Sequence, residues 1–523
     1  MRYWIMFFFF VLLFSLPLCL RALSWIRRNR GNLKREGKNI CQRYRYLRKP
    51  YLILLGVYLV ATSALLTANV SYLDDLGRVD RGYRGWQGSS RYFSSILSNF
   101  VHGDTHLTDI SPLPQLMAIA LLAAAGMIVI HALSEKKRFS LWELAASIPL
   151  GLSPYYLACL SFKFDAPYMA LSVLAAVAPI LLLNAGPLLY TSAVALGTFV
   201  VCTSYQASSG IFPMLVAVLC VLKWVRGEDA KGIGRFLLRS VAGYLAALIV
   251  FKVFAMQPWD TYVSNALPEG GKLLTTVMAH LGQYYSLVLE DFRWEWLALA
   301  AVLGAMFVYE AVRDAKGRRF LALLGSAVCL LFMLLLAFGI YPALEQPLYR
   351  PRAMYGFGAL IALLSVAVAG SRGVYPGKLA GVALSWMFIV FALTYGNAID
   401  LQYEYADFRI TAAIEDLDDL GLLSPDAEIT VQIDGTIGHA PAMANMRQDY
   451  QLLNKIVRIP FEDELHTRSF GPYLFYRYYG LENVKWDKAV DLTAYDLPVL
   501  KENIYHTIRG SDGLVLIELK ECR

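Results

Sequence analysis

Hydrophobic residues run along this chain in long stretches that few charged residues interrupt. A helix needs about 20 apolar residues to cross the hydrocarbon core of a bilayer. The stretches predict about 12 transmembrane helices and an all-α polytopic membrane domain over residues 1–398. The predicted helices cover residues 3–20, 51–70, 114–133, 141–160, 167–184, 187–205, 208–223, 236–256, 294–312, 320–341, 353–370 and 376–397.

The pattern changes after Asn397. Residues 406–420 place apolar side chains on one face of a helix and acidic side chains opposite them, and residues 428–434 alternate as a strand does. Two further apolar runs, 504–509 and 514–519, flank a glycine-bounded turn and predict a hairpin. Residues 399–523 are therefore predicted to form a small C-terminal α+β domain outside the membrane.

The charges of the connecting loops predict the orientation. Lys and Arg gather in cytoplasmic loops, and here they concentrate in one alternating set of loops: 21–49, 136–138, 223–239, 313–319, and Arg372 with Lys378. The other set is acidic, aromatic or mixed and consists of residues 71–113, 161–166, 257–293, 342–352 and everything after Asn397. Loop 71–113 and the tail are therefore predicted to be periplasmic in a multi-pass protein of the bacterial inner membrane.

The overall composition supports lipid as the solvent. Of 523 residues, 57% are hydrophobic and 17% are charged, with a formal net charge of +7. Arg2 precedes the first apolar run and a larger basic cluster follows it, which predicts an uncleaved membrane segment rather than a signal peptide. The seven cysteines suggest no disulfide framework. The basic runs lie in membrane loops, so we expect a lipid bilayer as the partner and no nucleic acid.

Loop 71–113 carries the most suggestive chemistry. Asp74 and Asp75 stand where the chain leaves the bilayer, and adjacent carboxylates repel, which can raise the pKa of one of them into the range of a base. Arg78, Arg84 and Arg91 follow and suit a phosphate, while Tyr83 and Trp86 offer faces on which a sugar can stack. The alternative interpretation is a solvated helix end with salt bridges and interfacial aromatics.

The same loop also contains residues that can bind a metal ion. His102, Asp104, His106 and Asp109 are of ligand type but match no specific metal motif. A divalent metal is therefore not supported, and we predict no cofactor.

Several segments together resemble a known family. They are YLDDLGRVDRGYRGW (72–86), DISPLPQ (109–115), LSPYYLACLSFKFDAPYMALSV (152–173), SYQAS (204–208) and YRPRAMYGFGAL (349–360). In this order they resemble the Gtr-type serotype-converting glucosyltransferases of bacterial O-antigen, a part of lipopolysaccharide. The resemblance implies a GT-C-like membrane glycosyltransferase that moves a sugar, glucose by analogy, from a polyprenyl-phosphate carrier to a glycan acceptor in the periplasm.

The resemblance also implies roles for individual residues. The catalytic carboxylate falls to Asp75 or Asp74, with Asp75 preferred as the base and Asp74 shaping the site. Asp109 is a further functional candidate, although it can equally cap the helix that begins near Pro112, and Lys163 and Asp165 can equally pair with each other. The donor phosphate or sugar is expected to contact Arg78, Arg84, Arg91, Trp86, Lys163, Asp165, Arg350 and Arg352.

Other functions remain open at this stage. A flippase or transporter of lipid-linked glycans favours charges at mid-membrane and broken helices in repeated halves, and the apolar runs here hold few central charges. A glycan polymerase also needs an arginine-rich outer loop, and a scaffold without activity tolerates loss of the carboxylates. The tail is expected to cover the catalytic mouth and help recognise the acceptor.

Overall fold

The computed structural model describes residues 2–28, 30, 33–134, 138–256, 266, 268, 271–316, 318–371, 375–424, 428–462, 479–481, 483–485 and 490–522, with only some of the side chains between 33 and 44. Three residues of the predicted basic loops, Lys136, Lys137 and Arg372, lie outside this range. The predicted fold class is confirmed: the chain is mostly helical, and a five-stranded mixed sheet lies near its C-terminus.

The membrane part begins with three helices that lead to loop 71–113, the predicted outer loop. They are α1 (Arg2–Arg28), α2 (Leu33–Ala61) and α3 (Ser63–Ala68). Loop 71–113 is itself helical, with α4 (Asp74–Arg81), a 3₁₀ turn (Trp86–Ser89) and α5 (Tyr92–His102).

The remaining helices follow in two runs. The first run is α6 (Leu113–Ser134), α7 (Leu141–Ser147), α8 (Pro149–Leu152), α9 (Pro154–Leu160), α10 (Ala166–Val177), α11 (Pro187–Ser204), α12 (Ile211–Val225) and α13 (Ala230–Val250). The second run is α14 (Leu273–Asp291), α15 (Trp294–Asp314), α16 (Arg319–Leu336), α17 (Pro351–Met354), α18 (Gly356–Ala369) and α19 (Tyr375–Asp419).

Nine helices of the described residues are long and apolar enough to cross a bilayer, so the chain is a multi-pass membrane protein. The other three predicted spans are helical but divided or short. Segment 141–160 is broken at Pro149 and Pro154, because proline lacks the N–H that continues a helix. Segment 51–70 is interrupted between α2 and α3, and α10 continues only as a short 3₁₀ turn, Ala178–Leu182.

Two helices differ from the sequence prediction. Residues 273–291, predicted to be part of an outer loop, form α14, which buries Leu281, Tyr284 and Val288. The predicted membrane helix 376–397 and amphipathic helix 406–420 are one continuous helix of 45 residues, α19. The predicted domain boundary at residue 398 falls inside this helix, so the division into two domains stays a prediction.

The tail carries a mixed sheet. Its strands are β1 (Ile429–Asp434), β2 (Val484–Lys485), β3 (Val499–Glu502), β4 (His506–Ser511) and β5 (Leu514–Leu519), in the order β2-β1-β5-β4-β3. Strand β1 is parallel to both neighbours, and the predicted hairpin is β4 and β5, paired antiparallel. Asp512 and Gly513 both have positive φ at its turn, as a two-residue hairpin turn requires.

Two hydrophobic cores tie the tail to the membrane part. Two short tail helices are α20 (Ala444–Asp449) and α21 (Leu453–Ile456), and Leu453 and Ile456 are buried in the same core as the membrane helices. The second core lies between the sheet and α19 and contains Leu76 of α4. The outer loop helix that carries the acid pair is therefore anchored in the core of the tail.

Candidate active site

A cavity of about 880 Å³ lies between the outer loop, the membrane helices and the tail. Its walls come from segments as far apart as the loop before α4 and the stretch after α21. Its charged lining consists of Asp74, Arg91, Asp165, Lys252, Arg350, Arg352, Lys455, Arg458 and Glu462. A pocket with more cations than anions is suited to an anionic ligand.

Helix α4 begins with the acid pair and points the two carboxylates in different directions. Leu73 before it has φ 52° and ψ −112°, which turns the chain sharply into the helix. Successive helical residues are about 100° apart around the axis, so both side chains cannot face the same way. Asp74 is exposed and lines the cavity, whereas Asp75 is fully buried behind it. The residue preferred as the base from sequence is therefore not the one that reaches the cavity.

Asp75 is held by the backbone. Its Oδ2 accepts hydrogen bonds from the N–H of Lys163 at 2.8 Å and of Tyr72 at 3.3 Å. Burial raises its pKa to about 8, with the carboxylates of Asp165 and Asp74 acting in the same direction and Arg78 and the Lys163 N–H opposing them. Asp75 is therefore mostly protonated at neutral pH.

Arg78, Asp165 and Trp86 form a buried network beside Asp75. The Arg78 guanidinium pairs with Oδ2 of Asp165, and the Trp86 indole N–H donates to Oδ1 of the same carboxylate. The guanidinium also lies 4.9 Å from the centre of the Trp86 ring and 3.7 Å from Oδ1 of Asp75. With Asp75 neutral, the buried charges of Arg78 and Asp165 balance one to one, which limits the cost of burying them.

Four predicted donor contacts, Arg78, Trp86, Arg84 and Lys163, and the further candidate Asp109 do not line the cavity. Lys163 does not pair with Asp165; its ammonium is 2.9 Å from Oδ2 of Asp109. Asp109 also accepts from the N–H of Ser111 at 2.9 Å. Because α6 begins only at Leu113, this bond lies in the loop before the helix and does not cap it. Arg84 donates to Oδ1 of Asn99 at 2.7 Å and does not line the cavity. These residues hold the outer loop together.

Three of the predicted arginines, Arg91, Arg350 and Arg352, do reach the cavity. Arg91 lies 4.7 Å from the centre of the Tyr205 ring, and Arg352 lies 5.5 Å from that of Phe162. Arg350 precedes α17 and is exposed to the same space. Flat aromatic neighbours hold a guanidinium in place by cation–π contact and stacking.

Sequence reasoning missed three further cations. Lys252 lies in the π-turn Phe251–Ala255 at the end of α13, and a lysine inside the predicted span 236–256 was a usable signal. Lys455 and Arg458 belong to the tail, and nothing in their local sequence relates them to loop 71–113.

Apolar residues complete the cavity wall. Leu248 of α13 and Phe251 of the π-turn that follows it line the cavity together with Leu344 and Leu348. Helix α13 also exposes apolar residues such as Ile249.

The candidate metal ligands have other contacts. A ring nitrogen of His102 lies 3.1 Å from the Thr108 carbonyl oxygen, and its ring stacks on Phe164. His106 packs so closely on Gly82 that a Cβ there would lie 2.1 Å from its ring. In the part of the chain that is described, no group of three or more His, Cys, Asp or Glu residues is arranged to hold a metal ion.

Comparison with known proteins identifies relatives. The sequence model of the family described as Glucosyl transferase GtrII matches residues 63–363. A protein of Salmonella phage P22, described as an uncharacterized 55.3 kDa protein in the gtrB 5' region, is 22% identical over 484 residues, which cover 86% of this chain and 96% of the phage protein. No solved structure matches. The matched family region contains the acid pair and Arg352 but ends before the tail.

Proposed function

The chain belongs to the glucosyl transferase GtrII family, and from this membership we propose that it transfers glucose from a polyprenyl-phosphate carrier to an O-antigen glycan on the periplasmic side of the bacterial inner membrane. The resemblance found from sequence is thus confirmed at the level of the family. The donor, the acceptor and the side of the membrane are our proposal.

The cavity carries this proposal, because it combines the three features that such a donor requires. Asp74 supplies a carboxylate, Arg91, Arg350 and Arg352 supply cations, and the α13 wall supplies apolar surface. A sugar linked through a phosphate to a prenyl chain has a hydroxyl-rich head, an anionic link and an apolar tail. The lining of the cavity contains residues suited to each of these three chemical groups.

The distribution of basic loops supports the periplasmic side. Lys223 and Arg226 lie at the end of α12, Arg313 lies at the end of α15, and Arg319 is the first residue of α16. Under the positive-inside rule these ends are cytoplasmic. The acid pair precedes α6 and the tail follows α19, at the ends that the alternation assigns to the periplasm.

In the proposed reaction Asp74 is the general base. Its carboxylate takes the proton of an acceptor hydroxyl, whose oxygen then bonds to the anomeric carbon of the donor. The bond from that carbon to the phosphate oxygen breaks, and its electron pair leaves with the carrier phosphate. Arg91, Arg350 and Arg352 stabilise the negative charge that this oxygen gains.

Asp75 acts through position rather than proton transfer in this mechanism. It receives two backbone N–H groups and so fixes the start of α4 against the segment that carries Lys163. Because burial keeps it neutral at pH 7, it adds no charge that would disturb the Arg78–Asp165 pair. Asp165 in turn is oriented by Trp86 and faces the cavity.

The test is reconstitution. The purified protein in proteoliposomes receives a synthetic polyprenyl-phosphate glucose and a lipid-linked O-antigen acceptor, and the glycan product is analysed by mass spectrometry. The expected result is an acceptor that is one hexose heavier, formed by the wild type and abolished with Asp74→Asn. Transfer from a nucleotide sugar but not from the prenyl-linked sugar would refute the proposed donor.

A further inference from the structure

A short tail segment, residues 452–458, is built into the cavity wall. Its helix α21 buries Leu453 and Ile456 among the membrane helices. The Ile456 carbonyl accepts hydrogen bonds from the hydroxyls of Tyr72 at 2.8 Å and Tyr395 at 3.4 Å. The backbone just before Arg458 is therefore fixed to both the outer loop and α19.

The first cation of this segment, Lys455, is already neutralised. Its Nζ lies 2.6 Å from Oδ1 of Asp291 and 3.0 Å from Oε1 of Glu290 at the end of α14. Asp291 also accepts from the Tyr155 hydroxyl at 2.8 Å. Two carboxylates around one ammonium leave little positive charge for a ligand, so Lys455 docks the tail.

The second cation, Arg458, lines the cavity together with the aromatic residues Tyr72 and Phe162. Tyr72 and Phe162 pack edge to face at 4.9 Å, and the Arg352 guanidinium lies over Phe162. Burial raises the pKa of Tyr72 to about 12, and the charges of Arg458 and Arg352 both act to lower it. Two guanidinium groups from distant parts of the chain, Arg352 and Arg458, thus line the same cavity as Tyr72.

We propose that Arg458 is a donor-binding residue contributed by the tail, which binds the phosphate of the lipid-linked sugar together with Arg352. The inference rests on the proposed function and adds a phosphate-binding residue outside the region that the family model matches. A planar guanidinium donates two parallel hydrogen bonds to phosphate oxygens, and two such groups satisfy most acceptors of one phosphate. The tail then contributes to donor binding, in addition to any contact with the acceptor.

The experiment compares three variants of the full-length protein in proteoliposomes. Arg458→Gln removes the positive charge, and Arg458→Lys keeps the charge but removes the two parallel donors of the guanidinium. Arg509→Gln is the matched control, because Arg509 pairs with Glu518 on the sheet. The readouts are KM for prenyl-phosphate glucose, kcat, and inhibition by prenyl monophosphate, the released carrier. Thermal unfolding of each variant reports whether it folds.

We expect Arg458→Gln to raise both the KM and the inhibition constant of prenyl monophosphate roughly 10- to 100-fold, the effect of losing a charge-assisted hydrogen bond. Arg458→Lys recovers part of this loss and Arg509→Gln changes neither constant. Unchanged constants in a folded Arg458→Gln protein overturn the inference, and if that variant does not fold, wild-type constants in Arg458→Lys overturn it.

The proposed function fails separately. A wild-type protein that neither transfers glucose from prenyl-phosphate glucose nor binds prenyl monophosphate would refute the donor and the role of Arg458 together. A wild type that transfers glucose while all three variants match it refutes only the role of Arg458.

Discussion

Exchanging each member of the acid pair for its amide gives the sharpest test of the site. Asp74→Asn removes the proposed proton acceptor and leaves the shape of the side chain, so we expect kcat to fall by roughly 10²- to 10⁴-fold, the usual contribution of a general base. Each factor of ten corresponds to about 1.4 kcal/mol of lost transition-state stabilisation. KM for the donor should change little, since the cations on the cavity wall remain.

Asp75→Asn should behave differently, although the two residues are adjacent. The pKa of Asp75 is raised to about 8 by burial, so the neutral acid predominates in the wild-type protein at pH 7. The amide oxygen of Asn can accept the same two N–H groups, from Tyr72 and Lys163. The variant closely resembles the state that the wild type already occupies, so we expect a loss of less than about tenfold in kcat.

The assay is transfer from prenyl-phosphate glucose in proteoliposomes, with kcat and KM measured for both variants at pH 7 at equal amounts of folded protein. The ratio of the two losses is the informative quantity, because any general harm to the outer loop affects both. If Asp75→Asn lost as much kcat as Asp74→Asn, or more, the assignment of the base to the exposed carboxylate would be wrong.

Three further outcomes are expected. Leu76→Ala should lower the free energy of unfolding by about 2–5 kcal/mol, as truncation of a buried leucine does, and should lower the thermal midpoint and the transfer activity together. Ile504 is 73% exposed, so the control variant Ile504→Ala should leave both unchanged. The stability of the wild type relative to that of Asp75→Asn should fall as the pH rises from about 4 towards about 8, because the folded protein holds the Asp75 proton over a range where the unfolded chain has lost it; the difference between the two thermal midpoints in a series from pH 4 to 9 measures this fall. Trp86→Phe should leave the Asp165 carboxylate without one donor and cost about 1–3 kcal/mol, seen as a lower thermal midpoint, and an unchanged midpoint would contradict the role of that hydrogen bond.

The sequence predicted the membrane class and half of the site, for reasons that particular residues make clear. Long apolar runs and loop charges are local features, so the membrane spans and the outer loop with its acid pair could be predicted from the sequence. The pattern could not tell Asp74 from Asp75, because the direction of each side chain depends on the turn at Leu73, which takes a positive φ that sequence does not predict for leucine.

The remaining differences come from long-range packing. The Tyr72 hydroxyl donates a hydrogen bond to the Ile456 carbonyl, 384 positions away in the chain. No local sequence pattern predicts such a contact. The same holds for Lys455 and Arg458, whose surroundings in sequence resemble any polar tail. Proximity in the fold, and not residue type, therefore decided which of the many cations reach the cavity.

The long helix α19 has a consequence for how this protein can tolerate change. At 1.5 Å per residue its 45 residues extend for about 68 Å, more than twice the thickness of the hydrocarbon core. One residue inserted near Asp400 would rotate the whole sheet by about 100° and carry it away from Leu76, whereas two full turns would restore the direction but lift the sheet by about 10 Å. Chimeras that exchange tails between relatives should therefore keep the number of residues in helix α19 unchanged.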